Sequence, residues 1–102
     1  MNKQYKRRIL PSAYADMASL KQYIAKQCSA PLTAKRQFEK LYQLFNWLEQ
    51  YAELPAVNVG LSIQYGLIIR TIPFGKKMTI VYSVEGEFVY IQRIMPQSMI
   101  LV

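Results

Sequence analysis

Residues 66–95 read GLIIRTIPFGKKMTIVYSVEGEFVYIQRIM, and this stretch decides the fold. It is rich in β-branched and aromatic residues and is cut by two turn signals, Pro73-Phe74-Gly75 and Glu85-Gly86. Apolar runs of that composition, bounded by Gly or Pro, predict strands. Three are expected, over 67–72, 77–84 and 88–95, joined as an antiparallel meander. In the middle strand Met78, Ile80 and Tyr82 alternate with Lys77, Thr79, Val81 and Ser83. In the last, Phe88, Tyr90, Gln92 and Ile94 alternate with Val89, Ile91, Arg93 and Met95. Neither set is plainly polar, so helices should cover one face, leaving the other mixed, apolar with embedded Arg and Lys, and open to a partner.

Working outward, residues 5–10 form a short strand pattern that carries Lys6, Arg7 and Arg8 and closes at Pro11. Charge of that kind suits an edge strand. Ser12 is placed to cap a helix, with Asp16 in its first turn. Met17, Leu20, Ile24 and Cys28 then recur at helical spacing and predict a helix over 12–28. Ser29-Ala30-Pro31 breaks it, and Pro31 suits the opening of the next helix. There Ala34, Phe38, Leu41, Phe45, Leu48 and Ala52 make one apolar stripe, flanked by Leu44 and Tyr51. Lys35, Arg36, Glu39, Lys40 and Gln43 lie opposite. Pro55 ends this helix near Leu54, residues 56–65 read as an ordered irregular loop, and Trp47 is expected to pack against the first helix or that loop, with a partner contact as the alternative. The apolar tail at 96–102 should be tied down on apolar surface. The expected architecture is α+β: an N-terminal strand, an antiparallel two-helix hairpin, then the three-stranded meander, all in one domain.

The chain has 102 residues, enough for one core and not for two. No apolar run approaches the roughly 20 residues of a membrane-spanning helix. The lone Cys28 fits a reducing compartment, so a cytoplasmic location with no membrane contact is expected. A net charge of +7 favours polyanions or an acidic protein partner over a neutral one, although basicity also serves solubility. With no histidine and one cysteine, neither a metal site nor a nucleophile with its base is legible, and no cofactor is expected. The acids fall on the helices or at the hairpin tip, which leaves no carboxylate pair for acid–base work. What remains on the sheet is Arg70, Lys76, Lys77 and Arg93 among Tyr82, Phe88, Tyr90 and Gln92, a set suited to holding phosphate and stacking bases. Buried tyrosines ringed by rim lysines give the same letters, and both readings stay open.

The order of elements and the residues that carry them resemble the RelE/ParE superfamily of toxins from bacterial type II toxin–antitoxin modules. LPSAYADMASLKQYIAK is similar to the family's strand, proline and first helix, and AKRQFEKLYQLFNWLEQYAELP to its second helix ending L-x-x-x-P. IIRTIPFGKKMTIVYSVEGEFVYIQRIM is similar to its closing strands, ending R-I. The resemblance implies a basic plasmid-stabilisation toxin that halts growth and is neutralised by a cognate antitoxin. Its targets would be DNA gyrase, as in the ParE branch, or ribosome-bound mRNA, as in the RelE branch, with an inactive antitoxin-binding relative as the third possibility. The long hairpin favours the ParE branch. Nuclease members carry an arginine shortly before the middle-strand tyrosine, where this chain has Thr79 and Ile80. If the chain cleaved RNA, Arg70, Lys77, Tyr82 and Arg93 would be the catalytic candidates. Arg70, Lys76, Lys77, Tyr90 and Arg93 are the candidates for binding the target. A homodimer or a toxin–antitoxin hetero-oligomer fits either branch.

Overall fold

The computed structural model describes residues 4–28 and 31–100. Strand β1 (Lys6–Ile9) leads into helix α1 (Pro11–Cys28) and helix α2 (Pro31–Tyr51), followed by a short helix α3 (Val59–Tyr65). Strands β2 (Arg70–Phe74), β3 (Met78–Glu85) and β4 (Phe88–Pro96) follow, and a 3-10 turn (Gln97–Met99) ends the described chain. The sheet order is β1-β4-β3-β2. β2 and β4 each pair antiparallel with β3, whereas β1 pairs parallel with β4, so the four-stranded sheet is mixed. A parallel neighbour requires a crossover, and the helices supply it.

One sheet face is covered by the helices. Ile80, Tyr82, Val89, Ile91 and Ile94 meet Ala13 and Met17 of α1 and Leu41, Phe45 and Leu48 of α2 in one buried cluster. The α2 stripe read from the sequence is this contact, since Leu41, Phe45, Leu48 and Ala52 are fully buried. Each larger side chain so placed stabilises the fold by about 1.5–3 kcal/mol relative to exposure.

Several boundaries differ from the sequence reading, each for a local reason. Residues 56–65 hold α3 rather than irregular loop. The Asn58 side chain accepts from Leu61 N–H at 2.9 Å, and Gly66 closes the helix in the left-handed region at φ 71°. β2 consequently begins at Arg70 rather than Leu67. Pro73 and Phe74 lie inside β2, paired with Thr79 and Met78, and not in the turn. β2 is the last strand of the sheet, where a missing N–H on the outer side is tolerated. The alternation along β4 breaks because Val81 pairs with Arg93 while Tyr82 pairs with Ile91, leaving Gln92 as the extra residue of a bulge. Val89, Ile91 and Ile94 therefore share the helix side. Ser12 does not cap α1, which starts at Pro11, and Asp16 lies beyond its first turn.

The opposite sheet face is not wholly open either. Leu61, Ile69 and Val81 form a second buried cluster, with Tyr65, Leu67, Met95 and Ile100 packed against it. α3 and the C-terminal turn thus cover the β2 side of that face. Ile100 is the part of the tail seen docking as expected, and the last two residues of the tail lie outside the described residues. So does the side chain of Cys28.

Candidate functional site

The basic and aromatic residues picked out in the sequence separate into three groups. Arg70 lies opposite Tyr82 in the β2–β3 register, on the helix side. Its guanidinium donates to the Glu53 carbonyl at 3.1 Å and to the Pro55 carbonyl at 2.6 Å. Tyr82 is fully buried and its hydroxyl donates to the Ala52 carbonyl at 2.7 Å. Tyr5 N–H adds a bond to the Glu49 carbonyl at 2.7 Å. The last turn of α2 and the residues after it leave carbonyls without helical donors, and three groups from the sheet satisfy them. Burial pushes the Tyr82 phenol far above its ordinary value, with Arg70 opposing the shift, so it stays protonated throughout the neutral range.

Arg93 is the centre of the second group. It grips Asp16 of α1 through two hydrogen bonds, at 2.7 and 3.0 Å, and the same carboxylate accepts from Ile94 N–H at 2.9 Å. Those bonds raise the guanidinium's pKa above the ordinary arginine value. Ser12 Oγ donates to the Gln92 carbonyl at 2.7 Å close by. β1 stops pairing with β4 at Ile91, and from there α1 takes over the vacated edge through Ser12 and Asp16. Ser12, expected as the cap, and Asp16, expected in the first turn, thus bond β4 rather than the start of α1.

The third group is at the surface. Lys76 and Lys77 are exposed in the β2–β3 turn after Gly75. Tyr90 is half-buried and stands beside Phe88, ring centroids 5.9 Å apart, while Arg8 lies 4.9 Å over the Phe88 ring. Gln92 donates to Ser83 Oγ at 3.1 Å. Lys6 meets Glu87 at 3.9 Å, so the rim of this patch carries both signs of charge.

Sequence reasoning missed a groove between α2 and β2. Lys40, Gln43, Leu44 and Trp47 form its helical wall and Ile72, Phe74 and Gly75 its strand wall, around a volume of about 420 Å³. Trp47 lines this groove, in contact with Tyr51 at 5.2 Å between centroids. The signal was present as a second helical stripe, residues 40, 44, 47 and 51, beside the core stripe. Among the described residues no cluster of acidic or cysteine side chains is placed to hold a metal.

The family profile described as the ParE toxin of the type II toxin–antitoxin system, parDE, matches residues 8–101. The chain belongs to the ParE toxin family. A solved structure described as the chromosomal ParDE TA system from P. aeruginosa superimposes with a TM-score of 0.72. It covers 92% of this chain and 97% of its own at 17% identity, a likeness of fold. No curated protein sequence matches the chain. As a ParE-family toxin it is the toxic half of a two-protein module, and an antitoxin is its expected partner. No helix among the described residues is long and apolar enough to cross a membrane.

Proposed function

We propose that this ParE-family chain acts in the cytoplasm as a binding inhibitor of DNA gyrase, blocks growth by that route, and is held inactive by an antitoxin segment. The observation that carries the reading is the engagement of the candidate catalytic groups. Arg70 holds the carbonyls after α2, Arg93 holds Asp16, and Tyr82 is a buried, protonated donor to Ala52. Cleaving RNA through its 2′-hydroxyl needs a base for that proton, an acid for the leaving oxygen and cations on the phosphorane. Of the four candidates only Lys77 stands exposed in a turn, and one side chain cannot serve as base, acid and phosphorane cation together. An inhibitor that works by occupying a surface needs none of these groups.

Lys76, Lys77 and Tyr90 are the target-binding candidates not tied into the fold by an arginine fork, while Arg70 and Arg93 are engaged with protein partners, Arg93 with its side chain still 38% exposed. The α2–β2 groove suits the antitoxin. Its apolar walls would bury aliphatic or aromatic side chains, and Lys40 on one wall, with Lys76 and Lys77 beyond Gly75, would meet carboxylates. The deciding experiment adds purified protein to gyrase and relaxed plasmid, and in parallel to ribosomes carrying message. Inhibited supercoiling with intact message supports the proposal, and message cut in the ribosomal A site with supercoiling untouched refutes it.

A further inference from the structure

Residues 54–69 contain no charged side chain, in a protein whose net charge is +7. The structure turns this neutral segment into a rigid, outward-facing apolar surface. Val57 bridges Arg70, Asn58 N–H donates to the Ile69 carbonyl at 2.8 Å, and Ser62 Oγ both donates to the Asn58 carbonyl and accepts from Ile69 N–H. The loop is thereby closed on itself at Val57 with Arg70 and Asn58 with Ile69, immediately before Val59 and after Ile68. Leu61, Tyr65 and Leu67 point inward onto Ile69 and Val81. The outer side carries Val59 and Ile63, one helical turn apart and 68% and 78% exposed, with Ile68 at 64% and Leu54 at 70%. Ile63 is the most exposed large apolar side chain among the described residues. Arg70 fixes Leu54 in place through the carbonyls on either side of it.

We infer that this surface is the contact of a two-fold symmetric homodimer of the chain. Three features select a second copy as the occupant. First, the patch is uncharged, so two copies of a +7 protein meet here without opposing like charges, as they could not across the lysine-bearing hairpin or the 75–77 turn. An acidic partner gains little from it, since the cation at its edge, Arg70, is already engaged with the Glu53 and Pro55 carbonyls. Second, a two-fold contact must be self-complementary, and an apolar surface made of Val, Ile and Leu is. Third, the exposed aliphatic area is on the order of several hundred Å², approaching the roughly 800 Å² per partner of a stable interface. The hydrogen bonds within the loop have already ordered it, which lowers the cost of association. The contact leaves the α2–β2 groove and the Tyr90 patch open.

Sedimentation velocity of the purified full chain over a concentration series tests the inference. The wild type should pass from monomer to a species of twice its 11.9 kDa as concentration rises. Ile63→Asp should remain monomeric at every concentration tested, with the melting temperature that the wild type shows at concentrations where it is monomeric, because the side chain is 78% exposed in its own fold. A Cys28→Ser, Ile63→Cys variant should form an intermolecular disulfide in mild oxidant, in contrast to Cys28→Ser alone. A wild type that stays monomeric throughout overturns the inference. So does a dimer that survives Ile63→Asp, or a monomeric wild type whose antitoxin binding is lost in Ile63→Asp, which would make the patch the antitoxin's.

Discussion

Asp16 on α1 and Arg93 on β4 are joined by two parallel hydrogen bonds, at 2.7 and 3.0 Å, at the point where β4 loses β1 as its neighbour. The carboxylate also takes Ile94 N–H, and so stands in for the strand that is no longer there. Asp16→Ala leaves that backbone donor and a partly buried guanidinium without their partner. The expected loss is about 2 kcal/mol, below the value for a fully buried pair because the arginine is partly solvated. Urea unfolding of the variant checks it. Asp16→Asn should lose less, since an amide oxygen still accepts from Ile94.

Tyr82→Phe removes the hydroxyl that closes the end of α2 on Ala52. Loss of one neutral hydrogen bond costs about 1 kcal/mol, with more if the carbonyl finds no other donor. The same residue gives a pH signature. Its pKa is raised on folding, so the folded state holds a proton that the unfolded state releases above about pH 10. Its contribution is complete below that pH and declines as pH rises further. Wild-type stability should therefore fall more steeply than that of Tyr82→Phe above pH 10, measured by urea midpoints along a pH series.

Arg70→Lys tests whether Arg70 shapes the fold or binds a target. One ammonium on a flexible stem does not reproduce a planar fork bonded to two carbonyls. Stability should drop by about 1–2 kcal/mol, and any loss of toxicity should disappear at lower temperature, where the variant is folded. A residue that touched the target would lose activity without a change in unfolding midpoint.

How much of this was legible in the sequence follows from what each residue interacts with. The α2 stripe was readable because helical periodicity reports burial directly, and the three C-terminal strands because β-branched and aromatic runs bounded by Gly and Pro mark them. The place of β1 was not, since its pairing with β4 depends on a contact some eighty residues away, Lys6 with Phe88. The bulge at Gln92 shifts the alternation by one residue with no glycine or proline to announce it. α3 was hidden by its shortness, although Asn58 and Gly66 stand at its two ends as cap residues. Arg70, Tyr82 and Arg93 were readable as residues with a special task, but whether an arginine on a strand meets a phosphate or a helix carbonyl is set by the neighbouring layer.

Trp47→Ala and the double charge reversal Lys40→Glu, Lys77→Glu probe the groove as the antitoxin's seat. Removing a central aromatic should weaken antitoxin binding by about 2 kcal/mol, some thirtyfold. The charge reversal should mainly slow association and flatten its salt dependence. Calorimetry and stopped-flow mixing separate the two effects. Unchanged affinity in both variants would move the antitoxin to another face.

The most direct test of the central claim is a supercoiling assay with purified gyrase, relaxed plasmid and increasing amounts of the toxin, run beside 5′-end mapping of ribosome-bound message. The account predicts dose-dependent loss of supercoiling, reversed by the antitoxin, and message that remains uncut. Cleavage in the ribosomal A site that is abolished by Lys77→Ala, with gyrase unaffected, would contradict it and make this ParE-family chain an endonuclease.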